Sequence, residues 1–548
     1  MDHTYILNQI RSRRNLERAF QYALWDRHQT DYYFDYFELE YAFRNKEAII
    51  DSLLDELKDP ERYTPRPAYA FYPPKTDLCF RRMIYIPFKD LVVRYAFVSV
   101  LADYLDSELS PRCFAKRRAR GEQAKQTLLK DFATVTWSGF CSWQKDCAEK
   151  HSVLLRTDIS AFYDSISHDY LISLIARELA VQEDTILMRL FRRILCIPVI
   201  SYSHFTGEPQ QPLETKQGLA IGNNTEGFLA NLYLKDVDEL MNRIEGVEFG
   251  RYNDDMRIFG GDRKTVLDAV LALQETLLTK GLNLNSGKSQ IAENEQEIEE
   301  LRSKYYEVYF YHVVEEVEVI EHVQREINKL KDEIDAPFDE FDRRFEADED
   351  LENNNDAKDF CKFVSDKDLL PLEERAPEHV EKLGQILRQW QGCGKHASWL
   401  IVQSAFWKGI PDVTCATAQR ILLESLRSDE VDSYSKYRLI HHLVKRHGKD
   451  PKFRFLDQFS ESQRNEFIGA IPDLLRQPAF ELNIIGLYAL RVFGMSFDEL
   501  QEYTNSYMPR PIGEPIKKAL SYIREPMEIT GDLVTDSDRE PDDTPQPY

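Results

Sequence analysis

The sequence predicts an α+β fold in two unequal parts, and three observations carry the prediction. Val153, Leu154 and Leu155 form a short apolar run bounded by polar residues, the pattern of a buried strand. Gly246–Tyr252 and Met256–Gly261 are β-prone runs joined by Asn253-Asp254-Asp255, a hairpin with the acids at its bend. From about residue 370 to about 525 the period changes, and apolar residues recur at helical spacing, as at Leu383, Ile386, Leu387 and Trp390.

In chain order, residues 1–74 read as an aromatic-rich helical lead-in, where Tyr32, Tyr33, Phe34, Tyr36 and Phe37 are expected to pack in a core or an interface. Within 75–290, alternation in Met83–Ile86 suggests a strand and Lys89–Tyr104 a helix. Ser160 to Ser167 reads as a turn into a helix around Tyr170–Leu179. Residues 291–360 form an acidic, thumb-like connection, with β-prone alternation in Tyr305–Val319 and a solvated boundary at 335–360. Residues 361–525 are expected to be all-α, with paired helices stacked in a HEAT-like solenoid. The tail at 526–548 is rich in Asp, Glu and Pro and is expected to be disordered.

The 548 residues suffice for two or three domains, and a hydrophobic fraction of 43% supports real cores. No apolar stretch reaches the length of a membrane span, and no basic-then-apolar segment opens the chain. Eight cysteines are scattered without a C-x-x-C pair, so neither a zinc site nor a disulfide framework is indicated, and a reducing cytoplasm is expected. The net charge of −24 is unevenly spread: residues 1–290 carry 38 Lys+Arg against 41 Asp+Glu, whereas 75–130 carry 12 against 6. The acidity therefore lies mostly beyond residue 290, and a field of that sign does not draw duplex DNA from a distance.

The chemistry concentrates in three carboxylates. Asp254 and Asp255 repel each other unless something cationic compensates, although a solvated turn is the commoner fate of such a pair, as at Asp542-Asp543. Asp158 ends the 153–155 strand, where an acid is costly unless paired or metal-bound; capping the next helix is the other use for it. Together the three would describe a two-metal phosphoryl-transfer site.

Four motifs in order resemble the palm of a reverse transcriptase across roughly residues 75–290. They are Asp158 with an aromatic five residues on, the Lys216-Gln217-Gly218 loop and its helix, the Tyr252-Asn-Asp-Asp255 hairpin, and Leu282-Asn-Leu-Asn-Ser-Gly-Lys288. The resemblance implies right-hand polymerase fingers and palm, with Asp158, Asp254 and Asp255 holding two Mg²⁺ ions (Mn²⁺ as an alternative) and the Ile159 carbonyl as a further ligand. It places Tyr163 as a gate against a ribose hydroxyl, with a core aromatic as the plainer reading. It sets Gln217 and Gly218 against the incoming nucleotide, and Lys288 near the leaving pyrophosphate or, alternatively, as a solvated lysine. The segment from Lys75 to Arg94 resembles the fingers, in which Lys75 and Arg82 would grip the triphosphate, strand alternation sending Arg81 to the other face. Five of the eleven residues of 111–121 are basic, and Arg112, Lys116, Arg117, Arg118 and Arg120 are expected to bind template or product phosphates.

A palm followed by a long helical region, with the first motif written Asp158-Ile-Ser-Ala-Phe-Tyr-Asp-Ser-Ile166, most resembles the bacterial abortive-infection and defence-associated reverse transcriptases. That resemblance implies a cytoplasmic homo-oligomer in phage defence, taking dNTPs and making DNA, either without a template and primed on its own tyrosine or copying an associated non-coding RNA. A catalytically silent palm that binds RNA or a protein partner, and an RNA polymerase, are the competing readings.

Overall fold

A computed structural model describes residues 2–29, 35–75, 79–121, 123–129, 136–201, 216–302, 370–407, 409–445, 454–477, 479–508 and 519–522, with 357, 360, 361, 364, 365 and 516. The expected strand in Tyr305–Val319, most of the 291–360 connection, the tail at 526–548, and Tyr32, Tyr33 and Phe34 lie outside these residues.

The strands are β1 (Ala68–Phe71), β2 (Met83–Tyr85), β3 (Val153–Thr157), β4 (Val199–Ser201), β5 (Val247–Tyr252), β6 (Asp255–Gly260) and β7 (Gln290–Ala292). They form a four-stranded sheet in the order β5-β6-β3-β7 and a three-stranded sheet in the order β2-β1-β4. β3 is the apolar run extended by Arg156 and Thr157, and it runs antiparallel to both neighbours, with Leu155 opposite Ile258 and Ile291. Tyr252 pairs with Asp255, so the hairpin loop is Asn253-Asp254 alone. Asn253 takes the positive φ, 54°, that such short loops require and that Asn tolerates better than most residues. The bend therefore carries one acid, and Asp255 is the first residue of β6.

Strand alternation gives β6 two faces. Asp255, Arg257 and Phe259 face the helix Trp137–Ala148, whose Trp143 meets Phe259 edge-on at 5.6 Å between ring centroids. Gly260 faces the helix Arg263–Thr279, where a Cβ would come 2.7 Å from Val266 Cγ2. The sheet is thus covered on both sides, and its functional end is the tip where β3 stops and the hairpin turns.

The lead-in is helical over His3–Ile10, Arg13–Gln29, Tyr36–Arg44 and Lys46–Glu56, but β1 follows it before residue 75 and pairs with β2. The fingers sheet thus begins inside the segment expected to be a helical lead-in. Behind that sheet the helix Phe88–Leu105 is buried almost all round, as its apolar sequence on every side requires, and it packs on Arg13–Gln29 and Asn224–Tyr233.

The C-terminal helices Pro377–Gln389, Gly394–Phe406, Asp412–Arg427, Ser433–Val444, Glu461–Arg476, Phe480–Val492 and Phe497–Tyr507 form two layers. The first, third, fifth and seventh follow one another in one layer, and the second, fourth and sixth in the other. Ser460 with Gln463, and Ser496 with Glu499, close capping boxes at the fifth and seventh of these helices. This region meets the lead-in directly: the Tyr36 and Tyr488 rings stack at 5.1 Å, and the Tyr488 hydroxyl donates to Glu40 at 2.5 Å.

Candidate active site

The site forms where three backbone segments are tied together. Ile159 bridges to Leu284, the Ser160 amide donates to Asn283 O at 2.9 Å, and the Asn285 amide donates to Asp158 O at 2.7 Å. Residues 282–288 therefore run beside 158–160, and Lys288 returns to form an ion pair with the Asp158 carboxylate. Asp158 itself is 7% exposed. From the hairpin, the Asp254 carboxyl reaches the same point and hydrogen-bonds with that of Asp158. Burial, and then the Asp158 charge, push the Asp254 carboxyl up to about 7. Once Asp254 is ionised, the two acids and Lys288 carry a net negative charge that a divalent cation would balance. Mg²⁺ takes a few carboxylates and completes its shell with phosphate oxygens and water, so the donor set fits it. Among the described residues no group of three or more His, Cys, Asp or Glu converges as a metal cluster.

Asp255, expected as a third ligand, is turned elsewhere. Its carboxylate takes both arms of the buried Arg257 guanidinium, at 2.6 and 3.1 Å, and Arg156 approaches it at 4.0 Å. Arg257 is further held by Gln144 Oε1 at 3.1 Å. Two residues apart on one strand, Asp255 and Arg257 share a face, which was the legible signal for this pair. Arg251 on β5 is likewise buried and bidentate to Asp238, at 2.7 and 2.8 Å, and also donates to Asn231 Oδ1 at 2.7 Å. Each strand of the hairpin carries a closed ion pair, while the acid at its tip lies against Asp158.

Tyr163 stands beside this tip. Its ring packs on Phe162, and burial and then the Asp254 carboxylate raise its hydroxyl above the ordinary range. The Tyr163 carbonyl accepts from the Leu219 amide at 2.8 Å, and the Gly218 amide donates to Ile166 O at 2.8 Å, so the Gln217–Gly218 loop lies against this turn. Gly218 has φ 97°, and a Cβ there would meet the Asp164 carbonyl oxygen at 3.4 Å, which makes glycine the fitting residue. Gln217 is exposed beside it.

The fingers cations reach the same turn. Asp164 is raised by burial, and Arg82, Arg81 and Lys75 act against that rise. Arg81, expected on the other face, therefore shares the neighbourhood of Arg82. β2 begins only at Met83, and the Arg81 amide is bonded to Pro73 O at 2.8 Å in the loop before it, so strand alternation does not separate the two arginines.

The basic segment is largely committed to its own surroundings. Arg117 binds Asp106 Oδ1 at 3.0 Å and the carbonyls of Asp106, Ser110 and Cys113. Arg118 is 7% exposed and binds Asp103 at 2.7 Å and the carbonyl of Leu128 at 3.1 Å. Arg112 pairs with Glu248, and Lys116 donates to Asn224. Arg120 is exposed. The segment runs along β5, with Cys113 bridging to Arg251, so these residues brace the hairpin.

The family model for reverse transcriptase (RNA-dependent DNA polymerase) matches residues 80–310, a span that holds every residue placed around the tip except Lys75. No curated protein matches the chain. The chain carries a reverse transcriptase domain, an RNA-directed DNA polymerase of the nucleotidyltransferase class.

Proposed function

We propose that this reverse transcriptase domain joins deoxynucleotides at the Asp158–Asp254 pair with two Mg²⁺ ions, Mn²⁺ being able to replace them. The contact between those two carboxyls at the end of β3 and the hairpin bend is the observation that carries the reading. Bound there, the metals would lower the pKa of the primer hydroxyl and neutralise charge on the departing pyrophosphate. Asp158, Asp254 and the backbone of Ile159 supply the oxygen donors, and Asp255 fixes the hairpin through Arg257. Lys75, Arg81 and Arg82 grip the triphosphate, and Arginine's planar fork suits its oxygens. Gln217 and Gly218 border the base and sugar, and the Tyr163 ring crowds a 2′-hydroxyl. Lys288 can hand a proton from Nζ to the leaving pyrophosphate. Arg112, Lys116 and Arg120 border the path of template or product.

The first-motif form and the long helical region support a place among the bacterial defence-associated enzymes, with a HEAT-like C-terminal array. In that setting the chain would work in the cytoplasm as a homo-oligomer, making DNA either on a protein primer or from an associated non-coding RNA. No described helix is long and apolar enough to cross a membrane.

The test is incorporation of labelled dNTPs and NTPs by purified protein with Mg²⁺, with nucleic acid sequenced from the preparation before and after protease. The reading expects dNTP use that Asp158→Asn abolishes. Equal use by that variant would remove the site, and a preference for NTPs would remove the role of Tyr163.

A further inference from the structure

One group of side chains outside the metal and nucleotide contacts links a nucleophile to the Gln217–Gly218 loop. Cys196 follows the helix Ile186–Leu195 and is partly exposed. Its Sγ lies 3.3 Å from Nδ1 of His168, whose ring is buried and whose Nε2 lies 2.7 Å from the Gly218 carbonyl oxygen. A carbonyl only accepts, so Nε2 carries the proton and donates. Nδ1 of the neutral ring is then an acceptor, and the Cys196 thiol donates to it. Burial lowers the His168 imidazole below its ordinary range, which agrees with a neutral ring. The tautomer is set from both sides, thiol to imidazole to loop carbonyl.

Cys196 also lines a cavity of about 230 Å³ with Tyr63, Pro65, Pro198, Arg192 and Arg193. Arg193 donates to the Tyr63 carbonyl at 3.0 Å. Arg192 is neutralised by Asp169 at 2.6 Å, whereas Arg193 donates to a neutral carbonyl and so brings positive charge to an otherwise apolar wall. A partly exposed thiol with a hydrogen-bonded imidazole and a guanidinium lining the same cavity is the environment of a reactive cysteine.

We propose that Cys196 is a modification site for small anionic disulfides, and that its modification is transmitted through His168 to the nucleotide loop. The second part rests on the reading of Gln217–Gly218 given above. The Cys196 S–H proton passes to Nδ1 of His168, and the thiolate attacks one sulfur of the incoming disulfide. The new Sγ–S bond forms as the disulfide S–S bond breaks, and the departing thiolate takes the proton and leaves as a thiol. Cys196 is oxidised and the leaving half is reduced. Arg193 attracts a carboxylate on the incoming molecule. Once the group is attached, Nδ1 has lost its donor and the cavity beside the ring is filled, so His168 no longer holds the Gly218 carbonyl in place.

The test uses the full chain and glutathione disulfide, with Cys79→Ser introduced because Cys79 is exposed. Intact mass and peptide mapping should find one adduct, on Cys196, removed by dithiothreitol. The adduct should raise KM for dNTP several-fold with a smaller change in kcat, and reduction should restore it. Cys196→Ser should take no adduct and keep its KM in the disulfide. His168→Gln keeps a donor for Gly218 but no base for the thiol, so its adduct should form about 10-fold more slowly or worse. An adduct confined to other cysteines, or a Cys196 adduct that forms equally fast in His168→Gln, overturns the site. An adduct on Cys196 that leaves KM unchanged overturns the link to the loop. Adduct formation is read without any polymerase assay, so failure of the site and failure of the polymerase reading are separable.

Discussion

Asp254 at the tip of the hairpin and Arg117 in the segment beside β5 are charged residues on adjoining strands of chain, yet their charges meet opposite fates. The Asp254 carboxyl lies against a second acid, with Lys288 as the cation paired to that second acid. Arg117 is enclosed by one carboxylate and three carbonyl oxygens of its own loop. A count of charges along the chain marks both segments as functional. Only their partners reveal that one is held against another acid, while the other closes a turn. Guanidinium groups with several fixed acceptors brace a structure, whereas like charges held in contact bind something from outside.

The comparison breaks most decisively at Asp254. Asp254→Asn should cut dNTP incorporation on the order of 1,000-fold, about 4 kcal/mol of transition-state stabilisation, with the melting temperature without metal unchanged or raised. Retained incorporation would place the metal site elsewhere. Asp255→Asn should behave in the other way. It leaves the buried Arg257 without its bidentate partner, so denaturant titration should show a loss of about 3 kcal/mol, while the folded fraction keeps more activity than Asp254→Asn. Equal kinetic damage with no loss of stability would return Asp255 to the metal site.

The pH dependence sharpens the same contrast. The folded-state pKa of Asp254 is raised to about 7, above the ordinary aspartate value of about 3.8, so the folded protein binds that proton more tightly than the unfolded chain. Its contribution is fully present below the lower value and is lost as pH rises through the upper one. Melting in EDTA should therefore decline over that window, and Mg²⁺ should raise the melting temperature more at pH 8 than at pH 6. A Mg²⁺ effect independent of pH would dissociate the metal from this acid. The smallest effect is expected at the exposed end of the basic segment. Arg120→Ala should weaken nucleic-acid binding slightly and uniformly across sequences, lowering the salt slope by about 1, while Arg118→Ala should lower the melting temperature instead.

Much of the palm was legible because it depends on local patterns. The apolar run at 153–155 became β3, the alternation at Met83 became β2, and the motif order placed Asp158, Lys288 and the Gln217–Gly218 loop around one hairpin. What remained hidden depends on register and on partners distant in sequence. Whether Asp255 lies in the bend is decided by its pairing with Tyr252. The commitment of Arg118 depends on Asp103, and the membership of β1 in the fingers sheet on Met83–Tyr85 and Val199–Ser201. The approach of Arg81 to Asp164 follows from Arg81 and Arg82 lying in the loop before β2, where strand alternation does not apply.

The contact of Tyr36 and Glu40 with Tyr488 has a practical meaning for anyone dividing this chain. Phe37 also meets Tyr488 edge-on at 5.2 Å, and Tyr69 on β1 lies 5.9 Å from Phe480, ring to ring. A cut near residue 370 would strip aromatic cover from the strand on which the fingers are built and leave Glu40 without its hydroxyl donor. The catalytic half is not a detachable cassette, and loss of activity on truncation would report exposed aromatic surface before it reported any task of the helices removed.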